Sequence, residues 1–525
     1  MSDIVKKEQA VYDIKLSYIK DRTKICDLDD KIGKRVVVCG WVVNVRRQGK
    51  RMCFIEVTDG TRDVLLQCAI FGKLAKSDQC KLITDQTSIV FRGVVNIDDR
   101  AKGGYEVSVE DLYIIGASEP ITAFNIDSGS YALSKVRHLV LRGDRLTKTM
   151  KVRAKVGQAF REFFDKEGLW EVTPPTITQQ EVEGGATLFR VLYYEEDKHK
   201  LSDDIQNKDD KEEKDEGNTY LTQSSQLYLE TMLVSMGSVF CLMPSYRQEK
   251  THTRRHLSEF SHLEAELSFI EFDDLLQFLE KMIKYVVHKI LLDIKVRQMI
   301  ISLKYEQLND LERAKFKKED IEEQLLSDLV IVDQSFVRMK HSEAIDYCRK
   351  NNIYKDELTK THFEQGDDIP ESPERKMTDM IGKPIFLTHF LLKDKSFYMK
   401  PTKESKILFK EGTIKKGMME TESVDLLIPY VGEIVGGSMR IDDYDELLDG
   451  FKEHGVPTEK YQWYIDQRKY GSVPHGGFGL GIERFCMWIG RHPGHKDFEQ
   501  KGVGQDTNTV KDQCLYPRTR KMRVP

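Results

Sequence analysis

Between Pro244 and Phe269 the chain reads PSYRQEKTHTRRHLSEFSHLEAELSF, and the second half of that stretch alternates. Phe260, His262, Glu264, Glu266 and Ser268 point one way; Ser261, Leu263, Ala265, Leu267 and Phe269 point the other. A period of two predicts a β-strand with an apolar face against a core. Cys241-Leu242-Met243 predicts the end of a second strand, and the polar run Gln248 to Arg255 a long loop joining the two.

The same reading extends along the chain. Residues 1–33 are polar and predict a short helix or a frayed arm. Five short strands follow: Val36 to Val43, Met52 to Val57, Val64 to Ile70, Ser88 to Val95 and Tyr105 to Val109, with Asp59-Gly60 and Gly103-Gly104 as hairpin signals. Five strands over residues 34–117 predict a small barrel of the oligonucleotide-binding (OB) kind. Residues 118–136 carry the Pro, Gly and Ser of a linker. Beyond it, from 137 to 525, helices and strands alternate irregularly, which predicts an α+β domain. A helix is expected from about Arg145 to Lys166, stopped by Gly168, then a short strand at Trp170 closed by Pro174 and Pro175. Tyr220 onward predicts strand, turn and helix, and Asp273 to Ile294 an amphipathic helix. The region 300–380 is Lys/Glu-rich and mostly helical; strands return at Ile385 to Phe390, Ser396 to Met399 and Val424 to Arg440.

Composition narrows the class. The 525 residues require more than one domain, and 40% hydrophobic with 32% charged residues suits a globular protein. A net charge of −5 excludes a polycation, so any nucleic-acid contact must use a local basic surface. The nine cysteines are scattered with no metal-ligand spacing and read as reduced thiols; no signal-peptide core or membrane span is visible, so a cytoplasmic location is expected. Residues 195–216 stand apart. Sixteen of these 22 are charged, eleven acidic and five lysine, which predicts a disordered insertion.

Candidate chemistry gathers in two places. Arg247, Lys250, Arg254, Arg255 and His256 crowd the loop around Glu249, and Phe260, Glu264 and Glu266 line one strand face. A solvated face is the bland alternative; a binding site for a nucleoside triphosphate and an amine is the other, since Arg holds phosphate, Phe stacks on a purine and Glu takes an ammonium. Pro474 to Phe485 holds four glycines within Gly476 to Gly481, then Arg484 in what would be the first turn of a helix. Glycines let backbone approach a ligand, though the pattern is not a P-loop. In the barrel, the basic run Arg46 to Arg51 sits between the first two strands beside Phe54. It is a solvated hairpin or a platform for single-stranded RNA.

The stretches RRHLSEFSHLEAEL and PHGGFGLGIERF resemble motifs 2 and 3 of the class II aminoacyl-tRNA synthetases, aspartyl/asparaginyl/lysyl subclass, in the form found in asparaginyl enzymes of the cytosolic eukaryotic type. The resemblance runs from about residue 34 to the last. It implies ATP-dependent ligation of L-asparagine to tRNA(Asn) through an asparaginyl-adenylate, with release of AMP and pyrophosphate. An aspartyl enzyme, or a paralogue without catalysis, is the alternative. It implies an antiparallel catalytic sheet flanked by helices, a Mg2+ ion, and a homodimer through the helix and strand ending at Pro175. For ATP it implies Arg247, Glu249, Arg255, His256, Leu257, Phe260, Glu433, Gly481 and Arg484, with Arg247, Arg484 and Glu433 catalytic. For the amino acid it implies Glu183, Gln226, Leu229, Glu264 and Arg440, with Leu229 where aspartyl relatives carry a lysine. Glu433 and, a residue out of register, Asp425 are the implied metal ligands. Arg46, Arg47, Phe54 and Gln67 are the implied anticodon contacts.

Overall fold

The computed structural model describes residues 17–121, 130–180, 188–191, 219–248, 255–314, 317–491 and 509–519. The chain divides into two compact units, Met1–Gly129 and Ser130–Pro525.

In the first unit five strands close a barrel: β1 (Arg35–Gln48), β2 (Met52–Thr58), β3 (Leu66–Phe71), β4 (Ser88–Ile97) and β5 (Tyr105–Gly116), in the order β1-β2-β3-β5-β4. Val36, Val38, Ile55, Val57, Cys68 and Val107 fill the interior, and their neighbours along each strand face outward. The barrel also takes Ile25 and Leu28 into its core, so this part of the expected arm is packed rather than frayed. One boundary is corrected. Arg46, Arg47 and Gln48 belong to β1, opposite Phe54, Cys53 and Met52, and only residues 49–51 make the turn. Backbone pairing carries the strand through these polar residues because all three are exposed.

In the second unit α1 (Asp144–Lys166) passes through Gly168, at φ +77°, to β6 (Trp170–Glu171). Next come β7 (Ile177–Thr178), β8 (Phe189–Val191), β9 (Thr219–Leu221) and α2 (Gln226–Met236). β10 (Val239–Tyr246) and β11 (Glu259–Ser268) form an antiparallel pair, followed by α3 (Phe272–Leu292). Later elements are β12 (Val337–Lys340), α4 (Glu371–Ile381), β13 (Ile385–Thr388), β14 (Ser423–Ile428), β15 (Gly432–Met439), β16 (His475–Gly481) and α5 (Ile482–Ile489). Eight strands make one sheet in the order β12-β13-β14-β15-β16-β11-β10-β6. It is antiparallel except at its edges, where β12 pairs parallel with β13 and β6 with β10.

The alternation of β11 decides which face is core. Leu263, Ala265 and Leu267 pack with Leu275, Leu279 and Ile283 of α3 and with Phe160 and Phe164 of α1. The opposite face is left for chemistry. α3 stops at Leu292 because Asp293 serves the next helix, accepting from the backbone N–H of Lys295 at 3.0 Å and Val296 at 3.2 Å. Ser396 to Met399 is not a strand. Phe397 and Tyr398 bury among Phe451, Tyr461 and Tyr464, and that packing wins over a ladder, leaving Met399 a single bridge to Arg440. All nine cysteines are free thiols. Among the described residues no helix is long and apolar enough to cross a membrane.

Candidate active site

On the face of the sheet opposite α3 lies a cleft of about 560 Å³, within the roughly 300–1,000 Å³ of small-molecule sites. Three strands supply its floor. β11 brings Phe260, His262 and Glu264; β15 brings Glu433; β16 brings Gly479 and Gly481. The glycines of β16 serve the sheet itself. A Cβ at Gly479 would overlap the His262 ring and one at Gly477 the Glu266 carboxylate, so β16 must be bare for the polar face of β11 to lie over it.

One end of the cleft is rich in exchangeable charge. Arg247, Arg255, His256, Leu257, Phe260 and Arg484 all line it. Arg247 lies with its guanidinium carbon 5.3 Å from the centre of the Phe260 ring. Its backbone N–H donates to the Ser258 carbonyl at 3.0 Å, pinning the base of the β10–β11 hairpin. Arg484, in the first turn of α5, donates through Nη1 to the Glu433 carboxylate at 3.1 Å and to the Glu433 carbonyl at 3.0 Å. Its neighbour Glu483 accepts from Arg153 at 2.8 Å and from the Ser261 N–H at 3.1 Å, which fastens α5 to α1 and β11.

Asp425 and Glu433 converge although they lie on different strands. A Cβ built on Gly436 would sit 3.4 Å from Oε1 of Glu433 and 3.5 Å from Oδ1 of Asp425. The two carboxylates thus flank one point, left open by that glycine. An irregularity in the β14–β15 pairing between Leu426 and Leu427 shifts the register and brings Asp425 into place. Burial opposes ionisation of Glu433, but Arg484, Arg255, Lys395 and Arg247 outweigh it and hold the carboxyl down at about 2. Asp425 goes the other way, to about 6, through burial and the repulsion of Glu433, despite Lys395 at 3.4 Å. Two hard oxygen donors suit Mg2+, which takes one or two carboxylates and completes its shell with phosphate and water. Among the described residues no group of three or more His, Cys, Asp and Glu forms a fuller ligand set.

The other end is fixed. Glu264 accepts from the Ser224 hydroxyl and from the Ser225 N–H at 2.9 Å. Burial raises its pKa, and those donors pull it back. Arg440 lies against Glu266 through Nε, at 3.2 Å, and Nη2, and donates through Nη1 to Ser438 at 2.6 Å. Burial works against the guanidinium, and the Glu266 carboxylate more than compensates, so Arg440 stays charged. Gln226 lines the same end and donates to Glu230 at 3.1 Å. Glu230 in turn accepts from Arg468 at 2.7 Å and from the Tyr464 hydroxyl at 2.8 Å, and lies 3.0 Å from His475 Nε2.

Leu229 does not line the cleft. It packs with Leu233, Val239 and Cys241 in a small core between α2 and β10. Gln226 and Glu230 form one i, i+4 stripe of α2 and Leu229 and Leu233 the next, so the helix turns the leucine away. Glu183, Glu249 and the acidic segment 195–216 lie outside the described residues. Sequence reasoning missed Ser224 and Lys395, which line the cleft, and Glu371 and Glu374 of α4, which lie against Arg255. Burial and the repulsion of Glu433 push Glu374 up to about 8, with Arg255 pulling against them. Nothing in the local pattern distinguishes these residues from the many solvated charges around them.

On the barrel, Phe54 and Gln67 lie on the outer face of the neighbouring strands β2 and β3. The Arg46 guanidinium carbon is 5.0 Å from the centre of the Phe54 ring, and Phe71, missed in sequence, meets that ring edge-to-face at 6.1 Å. Gln67 donates to Glu106 at 2.9 Å. Arg47 is placed differently from its neighbours. Its Nη2 donates to the carbonyls of Cys80, Lys81 and Ile83 at 3.1, 3.2 and 2.9 Å, making it a clamp on that segment.

Comparison with known proteins agrees in both units. Residues 130–494 match the family described as tRNA synthetases class II (D, K and N), and residues 36–115 match the OB-fold nucleic acid binding domain. The chain is 40% identical over 505 residues to the cytoplasmic asparagine–tRNA ligase of Saccharomyces cerevisiae, covering 95% of this chain and 78% of that one. With the human protein of the same name it shares 39% over 501 residues, covering 94% and 78%. Among solved structures it resembles asparaginyl-tRNA synthetase from Entamoeba histolytica in complex with asparaginyl-adenylate, with a TM-score of 0.73, 35% identity and 94% and 97% coverage. It also resembles that of Pyrococcus horikoshii complexed with asparaginyl-adenylate, with a TM-score of 0.76, 30% identity and 96% and 99% coverage. By these matches along nearly its whole length, the chain belongs to the class II tRNA synthetases of the D, K and N group.

Proposed function

We infer that this protein joins L-asparagine to tRNA(Asn) at the expense of ATP. The asparagine carboxylate attacks the α-phosphorus; the bond to the bridging oxygen breaks and pyrophosphate leaves. The terminal ribose hydroxyl of the tRNA then attacks the activated carbonyl, its proton is lost, and AMP departs. Neither step needs a protein nucleophile, so catalysis rests on positioning and on spreading charge at the transferring phosphorus.

In this reading Arg247 binds the α-phosphate and Phe260 stacks on adenine, backed by Leu257 and Gly481. Arg255, His256 and Arg484 hold the remaining phosphates. Glu249 at the adenine edge and Glu183 at the substrate ammonium complete the proposal from sequence alone. Glu433 and Asp425 would hold Mg2+, which would supply a Lewis acid on the phosphate oxygens. What supports this is their convergence over Gly436.

The observation that carries the choice of amino acid is the charge balance around Arg440. Its positive charge is met by Glu266, and Glu264 adds a second carboxylate to the same end of the cleft. A side-chain amide needs a donor for its oxygen and an acceptor for its NH₂, and Arg440 and Glu264 are that pair. An aspartate carboxylate beside Arg440 would meet a guanidinium already matched by Glu266 and a negative neighbour in Glu264. That mismatch is of the kind that supports discrimination of about 10⁴.

The outer face of the barrel, with Phe54, Arg46 and Gln67, is proposed to take the anticodon; Arg47 is kept only as a support. A homodimer through α1 and β6 is proposed as well, supported by Trp170, 62% exposed on an edge strand. The relatives are named cytoplasmic, and nine free thiols suit a reducing compartment, so the protein is placed in the cytoplasm. The test is direct. With ATP, Mg2+, labelled asparagine and tRNA(Asn), label enters the tRNA as AMP and pyrophosphate form in equal amounts. Absence of asparagine-dependent AMP would refute the reading.

A further inference from the structure

α4 belongs to the Lys/Glu-rich stretch whose sequence carries no motif, yet its first turn reaches the phosphate end of the cleft. Nε of Arg255 is 3.1 Å from Oε1 of Glu371, and Nη1 is 3.5 Å from Oε1 of Glu374. The two carboxylates are three residues apart and therefore share one face of α4. The helix is itself tied to the turn between β14 and β15, where the Tyr430 N–H donates to Asp379 at 2.5 Å. Gly432, the first residue of β15, shows how closely the parts fit. A Cβ there would lie 2.6 Å from Nη1 of Arg255 and 3.1 Å from Oε1 of Glu374, and its φ of +84° already disfavours a side chain. The hairpin that carries Asp425 and Glu433 is thus shaped around the contact between Arg255 and α4.

We propose that Glu371 and Glu374 are positioning residues for adenylate formation: they orient the Arg255 guanidinium toward the terminal phosphates of ATP and pyrophosphate, in the space Gly432 leaves. The proposal rests on the reading of Arg255 as a phosphate ligand. A guanidinium carries five N–H donors in a rigid fork, so it can be held between carboxylates at two of its nitrogens and still donate to phosphate through the third. An arginine held this way loses less rotamer freedom when the phosphate arrives, which favours ATP binding. The contact spans more than a hundred residues of sequence and gives the 300–380 region a part in the reaction.

Asparagine-dependent pyrophosphate exchange by the full-length protein tests this. Glu371→Ala and Glu374→Ala should each raise KM for ATP and for pyrophosphate, by roughly tenfold when combined, the size of one contact in a shared network. KM for asparagine should stay within about twofold, which a general loss of structure would not allow. Arg255→Ala should raise the same two constants, and adding both glutamate changes to it should do no further harm, since they act through that arginine. If Arg255→Ala leaves KM for ATP unchanged, the assignment of Arg255 as a phosphate ligand fails. If Arg255→Ala raises it while the glutamate variants leave it unchanged, or add independently, the positioning role is overturned. Should Glu374→Ala not fold, Glu371→Ala, at a more exposed site, gives the same reading.

Discussion

The two ends of the cleft use the same residue types and treat them differently. Around the amino-acid end the ion pairs are sealed: Arg440 and Glu266 are 3% and 1% exposed, Arg468 and Glu230 1% each. At the end proposed for the phosphates they are more open: Arg484 and Glu433 are 21% and 35% exposed and Lys395 and Asp425 18% and 20%, with Arg255 and Glu374, at 9% and 13%, lying between the two extremes. Taking an ion out of water costs several kcal/mol, so a sealed pair persists only when geometry and further hydrogen bonds satisfy it. Such a pair is fixed, and it can fix the shape of a pocket that must tell an amide from a carboxylate. A partly exposed pair has less net energy to lose and can trade its partners for phosphate or a metal ion. On the proposed assignment, burial separates the part of the site that selects from the part that exchanges.

Two substitutions in the cleft test that contrast directly, and two changes elsewhere bound it. Glu266→Ala leaves Arg440 buried and unmatched; a loss of about 3–5 kcal/mol of stability is expected, read from urea or thermal unfolding. An unmoved transition would mean that the sealed end is not sealed in solution. Glu433→Ala should slow adenylate formation by about 10²–10³, the effect of removing one preorganised charge group, while stability falls by less than for Glu266→Ala. A large loss of stability there would erase the distinction between the two ends. Away from the cleft, Phe54→Ala should weaken tRNA charging by roughly 1–3 kcal/mol, the worth of one stacked base, with tRNA-independent exchange untouched. Equal losses in both assays would remove the anticodon assignment. The smallest effect is expected for replacing residues 197–215 by a short Gly/Ser linker, with exchange kept within a few-fold because such a composition cannot bury a core. A dead but folded variant would make that segment part of the site.

How much of this was legible in sequence follows from range. The alternation of β11 announces Phe260, His262 and Glu264 because its two faces meet different surroundings, and the five barrel strands announce themselves in the same way. Local punctuation located the hairpins and the stop at Gly168. Partners far apart in sequence stayed hidden: Glu374 against Arg255, Lys395 against Asp425, Glu230 behind Gln226. Each is an ordinary charged residue until the fold supplies its neighbour. Leu229 shows the opposite failure. Family resemblance put it in the pocket, while the helical stripe it shares with Leu233 takes it into a core. The glycines of β16 suggested backbone close to a ligand, whereas Gly477 and Gly479 first make room for Glu266 and His262. Ser396 to Met399 looks like a strand by residue type, and buried aromatic packing overrides that preference.

The central claim is that a cleft end holding Arg440, Glu266 and Glu264 accepts a neutral amide and refuses a carboxylate. Pyrophosphate exchange measured with asparagine and with aspartate, on the same protein and with the same ATP and Mg2+, tests it most directly. The account predicts kcat/KM for asparagine higher by about 10⁴, in keeping with one buried polar mismatch and no editing. Comparable exchange with both amino acids, or a preference for aspartate, would contradict it.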